Sequence, residues 1–367
     1  MNQNNPRPNL LQLARQAGTD SRYLVVLRRA HEIRQCFEQE ARRFVFEDLV
    51  GYGQYGVACR ILQRDSGWFF WRTAAKRFVV KHSLGDAKET QALMNEIQML
   101  QGASHILQPF AITDNPLLQA FDGPSLITEY AEHGTLGAFI VKAAAWGQPL
   151  PNRLLWRLFL CLLRFVIAMA WPDVDIKEQV PEQEEIRAQK SQIVHNDMHT
   201  RNIMIGSFDK DEHFLVPILK LIDFGLARNA PSGLSFLPTS DAGVKQNIYD
   251  IGVVMLDLIT GTNLRPTRRA LMDVRIYNRS ILINSAAVAI APPRFPNLDP
   301  DLRGLVVWCC AANMDDRPYL ETLANIISQQ VETKTAASYA GYPLQVNETD
   351  ERVAAIVARL LDPSSGT

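Results

Sequence analysis

The sequence predicts an α+β fold in two parts, and three observations carry that reading. A chain of 367 residues, 47% of them hydrophobic, is long for one compact domain and has apolar content for a sizeable core. Strand-like apolar runs crowd the first third, at residues 44–50, 57–62, 78–81 and 125–131. Helical periodicity dominates afterwards, at 151–171, 248–260, 303–312, 320–331 and 350–361, the last with Thr349 as its cap.

The totals exclude several classes. Lysine and arginine number 38 and aspartate and glutamate 39, so a net charge of -1 gives no general reason to expect nucleic acid or an anionic membrane as partner. Five cysteines, odd in number and without a CxxC pair, argue against a disulfide framework and against a zinc site. They read as reduced thiols of a cytoplasmic or nuclear protein. The opening Met1-Asn2-Gln3-Asn4-Asn5-Pro6 lacks the apolar core of a secretory signal. Residues 154–171 approach transmembrane length, but Arg157 and Arg164 fall on one helical face, which predicts a buried helix instead of a membrane span.

The elements run in chain order. Asp20 or Ser21 caps a helix running to about Arg43, with Tyr23, Val26, Leu27, Ala30, Ile33 and Phe37 as its apolar stripe; it packs on the strands C-terminal to it or serves as an autonomous interaction helix. After the first strand comes Gly51-Tyr52-Gly53-Gln54-Tyr55-Gly56, and a strand, not a helix, succeeds it. The glycines therefore sit at a hairpin tip, either as a structural turn or where bare amides approach phosphates. Trp68-Phe69-Phe70-Trp71 covers the small part or docks a partner. Lys81 ends a buried-looking strand, a poor place for an unpaired charge. The helix at 86–100, with Leu93, Ile97 and Leu100 on one face, offers Glu96 as its partner, with Glu89 competing. Residues 173–192, rich in Glu and Lys, read as a solvated insertion.

The chain is organised around residues 193–205, Ile-Val-His-Asn-Asp-Met-His-Thr-Arg-Asn-Ile-Met-Ile, and 219–225, Leu-Lys-Leu-Ile-Asp-Phe-Gly. Two short β-type runs, each leading into an acidic or amide side chain at a turn, deliver oxygen ligands to one point, as a two-metal phosphate site requires.

From about Phe44 to Gln330 the order of these parts resembles the eukaryotic protein kinase domain: a glycine-rich loop, a strand lysine, a helix glutamate, HxDxxxxN, DFG and a late Asp316-Arg317-Pro318. The resemblance implies a bilobal fold, with a small antiparallel β-sheet N-lobe carrying one helix and a larger, mainly helical C-lobe. It divides the chain into a 1–43 extension, an N-lobe and hinge at 44–131, a C-lobe at 132–330 and a 331–367 extension. It implies ATP and Mg2+ as cofactors. Gly51, Gly53 and Gly56 would fold over the phosphates, and Lys81 would hold them, oriented by Glu96. Asp223 and Asn202 would bind magnesium, and Asp197 would accept or orient the acceptor's proton. Ala58, Val79 and Met204 would sandwich adenine, with Glu129 and Ala131 as hinge and Thr128 behind it. His195 and Phe224, with Leu100, would form a packed spine.

Departures from the family pattern set the alternatives. Asn196 replaces the arginine that usually reads an activation-segment phosphate, and only 24 positions separate Asp223 from the helix expected to begin near Asn247, with no Ala-Pro-Glu. Activity is then independent of activation-segment phosphorylation, and Ser232, Ser235, Thr239 and Ser240 are ordinary loop residues. Arg317 lacks its usual glutamate. Asn247 replaces the aspartate that braces the catalytic loop, which puts the loop's rigidity in question. His199 stands where Ser/Thr kinases carry lysine, as a phosphate donor or a loop contact, while Arg201 supplies a cation. The leading reading is a Ser/Thr protein kinase. A pseudokinase scaffold is the alternative, and a small-molecule kinase of the choline or aminoglycoside kinase type is a further one.

Overall fold

The structure is a computed structural model that describes residues 21–53, 56–64, 75–99, 104–172, 190–229, 241–263, 266–276 and 279–364. Expectations placed on residues 68–71, 173–189, Leu100, Ser232, Ser235, Thr239 and Ser240 lie outside them. The chain divides into two compact units. The first holds the described residues up to 99 with Gln108–Tyr130, and the second holds 104–107 with Ala131 onward.

In the first unit, α1 (Ser21–Glu38) buries Val26, Leu27, Ala30, Ile33 and Phe37, the stripe its 3.6-residue period dictates. It stops five residues short of the expected Arg43. The stripe shares one core with Phe44, Val57, Cys59, Ile61, Phe78, Val80 and Ile127, so the helix closes one face of the adjoining sheet. That sheet is β1 (Phe44–Gly53), β2 (Gly56–Gln63), β3 (Lys76–His82) and β4 (Ser125–Glu129), antiparallel in chain order. β1 extends beyond residue 50, so Gly51 and Gly53 lie within the strand, opposite Ala58 and Gly56.

Strand alternation settles what the other sheet face carries. Ala58 pairs with Lys81, Val79 with Thr128 and Gly51 with Ala58, placing these residues together on the face turned away from α1. The helix α2 (Ala87–Met99) buries Glu89, Ala92, Leu93 and Glu96. The expected apolar face is corrected here: Ile97 is exposed, because both carboxylates turn inward to meet cations.

The second unit is built on α4 (Asn152–Ala170), which is buried over most of its circumference. Arg157 and Arg164, which interrupt its apolar run, face the 207–216 loop: Arg157 stacks 5.1 Å over Phe214 and Arg164 pairs with Glu212. Among the described residues no helix is long and apolar enough to cross a membrane. Around α4 lie α3 (Leu136–Trp146), α5 (Ala242–Thr260), α6 (Pro300–Cys309), α7 (Leu320–Thr333) and α8 (Asp350–Leu361). Among the described residues three two-stranded ladders join them: β5 (Ile193–Val194) with β8 (Arg228–Asn229), β6 (Ile203–Ile205) with β7 (Leu219–Leu221), and β9 (Ala270–Ile276) with β10 (Arg279–Ser285). The β9–β10 pair is not among the elements expected from the sequence. Its alternating burial, with Met272 and Val274 inside and Leu271 outside, is a period-2 signal too short to stand out beside helices.

The C-terminal segment is fastened into this unit by buried polar groups. Pro151, at the N-cap of α4, has no side chain able to accept the helix's first amides. Glu348 does so from 196 residues away: Oε1 accepts from the Asn152 amide at 2.8 Å and Oε2 from the Arg153 amide at 3.0 Å. Asp299, 1% exposed, accepts from Trp156 Nε1, Tyr339 Oη and Lys334 Nζ at 3.1, 2.9 and 2.6 Å. Glu348→Ala should therefore cost about 2 kcal/mol by stranding one buried and one half-buried amide, measured as a lowered urea midpoint.

Candidate active site

The sequence makes one junction out of two links. β5 leads into residues 195–202 and on into β6, while β7 leads into 222–227 and on into β8. Because β5 pairs with β8 and β6 with β7, both links span the same two ladders and must lie side by side. Hydrogen bonds join them. His195 Nε2 donates to the Ile222 carbonyl at 3.1 Å, the Ile222 amide to the Asn202 carbonyl at 3.0 Å, and Asn196 Nδ2 to the Leu226 carbonyl at 3.0 Å.

His195 is fully buried, its ring 4.7 Å from Phe224 in an edge-to-face contact. With Nε2 on a carbonyl and Nδ1 accepting the Asp197 amide, and with burial holding its pKa down to about 4, it is a neutral packing residue. Asp197 projects from this frame. Its Oδ2 accepts from Asn202 Nδ2 at 2.9 Å, and the same amide also reaches the Asp197 carbonyl at 3.0 Å. This leaves Asn202 Oδ1 as a hard oxygen donor beside the link that carries Asp223. Asp223 itself takes a left-handed conformation, φ 66° and ψ 65°, that turns the chain abruptly at the head of Phe224-Gly225.

His199 makes contacts within the loop. Its Nδ1 accepts from the Arg201 amide at 3.2 Å, opening a short turn at Thr200–Asn202, and its Nε2 lies 3.4 Å from Asp197 Oδ1. The concern over Asn247 is corrected. The residue is 1% exposed, its Oδ1 accepts the His195 amide at 3.2 Å and its Nδ2 donates to the Ile193 carbonyl at 2.8 Å, so an amide braces the loop where a carboxylate was expected. The helix bearing it begins at Ala242, five residues before the expected start. Arg317 also finds partners without a glutamate: Nη1 donates to the Lys245 carbonyl and Nε to the Ala311 carbonyl, both at 3.0 Å, while the guanidinium stacks 4.6 Å over Tyr249.

The first unit assembles its own set. Lys81 Nζ meets Glu96 Oε2 at 2.5 Å, settling the competition with Glu89, which instead accepts from Arg22 and from the Leu84 amide. Ala58, Val79, Thr128 and Gly51 share the Lys81 face. Thr128 is buried, and the Glu129 amide is already committed to the Gln108 carbonyl at 3.0 Å. Gly56, at φ 135°, has no room for a side chain, since a Cβ would stand 2.3 Å from the His82 carbonyl oxygen. Gly51 and Gly53 are under no such demand; a Cβ on Gly53 would meet nothing within 4 Å. Met204, in β6, and the buried Ala131 belong to the second unit.

Sequence reasoning missed one feature. A cavity of about 640 Å³ opens beside the catalytic loop, lined by Asp197, His199, Arg201, Tyr249, Asp250 and Asp257 among others. Asp250 and Asp257 arrive from α5, two helical turns apart and so on one face, a spacing that an amphipathic core helix shows for ordinary reasons.

The family comparison agrees with this geometry. The pattern of the family described as protein tyrosine and serine/threonine kinase matches residues 44–235. The chain belongs to the protein kinase family. Among similar proteins, the receptor-like kinase TMK2 of Arabidopsis thaliana is 22% identical over 322 residues, covering 80% of this chain and 32% of that protein. A probable LRR receptor-like serine/threonine-protein kinase of the same plant, At1g07550, is 23% identical over 337 residues, covering 82% of this chain and 34% of its own length. Human receptor-interacting serine/threonine-protein kinase 3 is 24% identical over 293 residues, covering 74% and 48%. The kinase chain thus spans about a third of the two plant relatives and about half of the human one.

Burial raises the Asp257 carboxyl to about 7. The folded kinase holds that proton to about pH 7, whereas an unfolded chain releases it near 4, so this group lowers stability as pH rises between those values. Asp257→Asn should be indifferent at pH 4 and more stable than wild type by about 1 kcal/mol at pH 8, allowing for the residue's partial contact with water, read as a widening gap in Tm.

Proposed function

We propose that the kinase is an ATP- and Mg2+-dependent phosphotransferase acting on Ser/Thr hydroxyls of protein substrates. The observation that carries this reading is the Asn202 side chain, which binds Asp197 at 2.9 Å while its backbone holds the link to Asp223. The donor set fits the expected cofactors. Asn202 and Asp223 offer the hard oxygens that Mg2+ prefers, and Gly51 and Gly53 lack a side chain where neither backbone angle nor packing requires it. Close backbone approach to a phosphate supplies the missing reason.

When bound, Mg-ATP supplies the transferable phosphoryl group and neutralises its charge. Lys81, oriented by Glu96, binds phosphate oxygens as a point charge. Asp197 accepts or orients the acceptor's proton, and exposed Arg201 contributes a cation from the same loop. Asn196 supports independence from activation-segment phosphorylation, because its amide serves the Val194 and Leu226 carbonyls and carries no charge with which to read a phosphate. Asp250 beside Asp197 favours acceptors that carry positive charge. The same cavity, with Asp197 and Asp250 in its wall, also suits a cationic small molecule, which is the second reading.

Transfer of labelled phosphate from Mg-ATP to a panel of basic Ser/Thr peptides should fall about 10²–10⁴-fold in Asp197→Asn. Lys81→Met should also lose the thermal shift that Mg-ATP confers on wild type. Label in a cationic metabolite with no phosphoprotein would select the second reading. A Mg-ATP thermal shift without label in any acceptor would overturn both and leave a scaffold.

A further inference from the structure

Three buried residues far apart in sequence meet behind the β6–β7 ladder. His105 precedes the Leu107 amide that bonds to Leu221, Cys161 lies on α4, and His213 lies in the loop joining β6 to β7. They are 4%, 2% and 6% exposed. One ligand atom from each falls within 4.8 Å of the others, Cys161 Sγ standing 3.9 Å from His213 Nδ1.

The cluster is poorly explained as packing. Both His105 Nε2 and His213 Nε2 are buried without a hydrogen-bond partner, an arrangement that costs about 1–3 kcal/mol for each stranded group. An apolar side chain would fill either position without that cost. Two imidazoles and a thiol are instead the ligand types that borderline-soft Zn2+ selects. Ser104 Oγ, 3.2 Å from His105 Nδ1, orients that ring and leaves Nε2 as its ligand atom. Glu212 Oε2 lies 4.0 Å from His213 Nε2. The nearby cations are already engaged, Arg164 by Glu212 and Lys220 Nζ by the Ser104 carbonyl at 3.0 Å.

We propose that His105, Cys161 and His213 form a zinc site. Bonds of about 2.0–2.3 Å place tetrahedral ligands ~3.3–3.8 Å apart, so side-chain rotations of about an ångström close the site. On binding, the Cys161 thiol releases its proton to solvent and a Zn–S bond replaces S–H. The metal ties the 206–218 loop and residue 105 to α4, behind the strands that end on Asn202 and Asp223. It takes no part in phosphoryl transfer. The absence of a CxxC pair hid the site because its ligands come from three separate elements.

The test uses the full chain, stripped with chelator and titrated with Zn2+ or with Co2+ as a spectroscopic probe. Expected are one zinc per chain by elemental analysis, a zinc-dependent rise in Tm, and a thiolate-to-cobalt charge-transfer band with the d–d bands of a tetrahedral site. Cys161→Ser and His213→Gln should each weaken zinc binding about 100-fold or more and remove or alter the cobalt spectrum, whereas Cys36→Ser should leave both unchanged. Folded wild-type protein that takes up no stoichiometric zinc and shows no charge-transfer band overturns the proposal. So does a band that survives Cys161→Ser or disappears in Cys36→Ser. Loss of phosphoryl transfer with zinc binding intact would refute the kinase reading alone.

Discussion

The second unit depends on two short ladders that hold two links side by side. β5 and β8 contribute two residues each and β6 and β7 three each, too few to be stable alone in water. Packing against α3, α4 and α5 supports them, with Val194, Ile203, Ile205, Leu219 and Leu221 all inside. Once paired, they leave the chain no choice over which loops become neighbours. The contact between Asn202 and Asp197 results from that pairing, as does the bond from the Ile222 amide to Asn202.

Bracing of the 195–202 loop shows how a local geometry survives a changed side chain. Asn247 has an acceptor oxygen and a donor nitrogen where a carboxylate would have two acceptor oxygens, and it uses both atoms, on the His195 amide and the Ile193 carbonyl. A neutral group also avoids placing an uncompensated charge at a position that is 1% exposed. Arg317 illustrates the same principle with the roles reversed, its charge being spread over two carbonyls and the face of Tyr249. In both places the geometry is kept by a change of hydrogen-bonding type, so a departure from a motif is weak evidence against the arrangement it usually marks.

Polar groups buried far from the chemistry set the frame in a similar way. Glu348 caps α4 and Asp299 gathers Trp156, Tyr339 and Lys334, so the last segment of the chain completes the core that positions the ladders. Neither role is readable locally. Glu348 sits in a polar stretch just before a helix, where a carboxylate would ordinarily be assigned to its own helix's first turn.

By itself the sequence determined the strand-and-helix inventory that matters, because period-2 and period-3.6 burial are local properties: the α1 stripe, the four strands and the apolar α4 all arise from side-chain spacing. It also placed the 195–202 loop and the Asp-Phe-Gly turn, whose residue types stand at fixed offsets. Only the tertiary structure decided which of two glutamates meets Lys81, because Glu89 and Glu96 both face inward and the choice rests on where Arg22 and Leu84 stand. Tertiary structure likewise decided that Asn247 braces the loop and that His105, Cys161 and His213 converge. Such contacts join residues 50 or more positions apart, and no local pattern encodes a distance that only the packed fold creates.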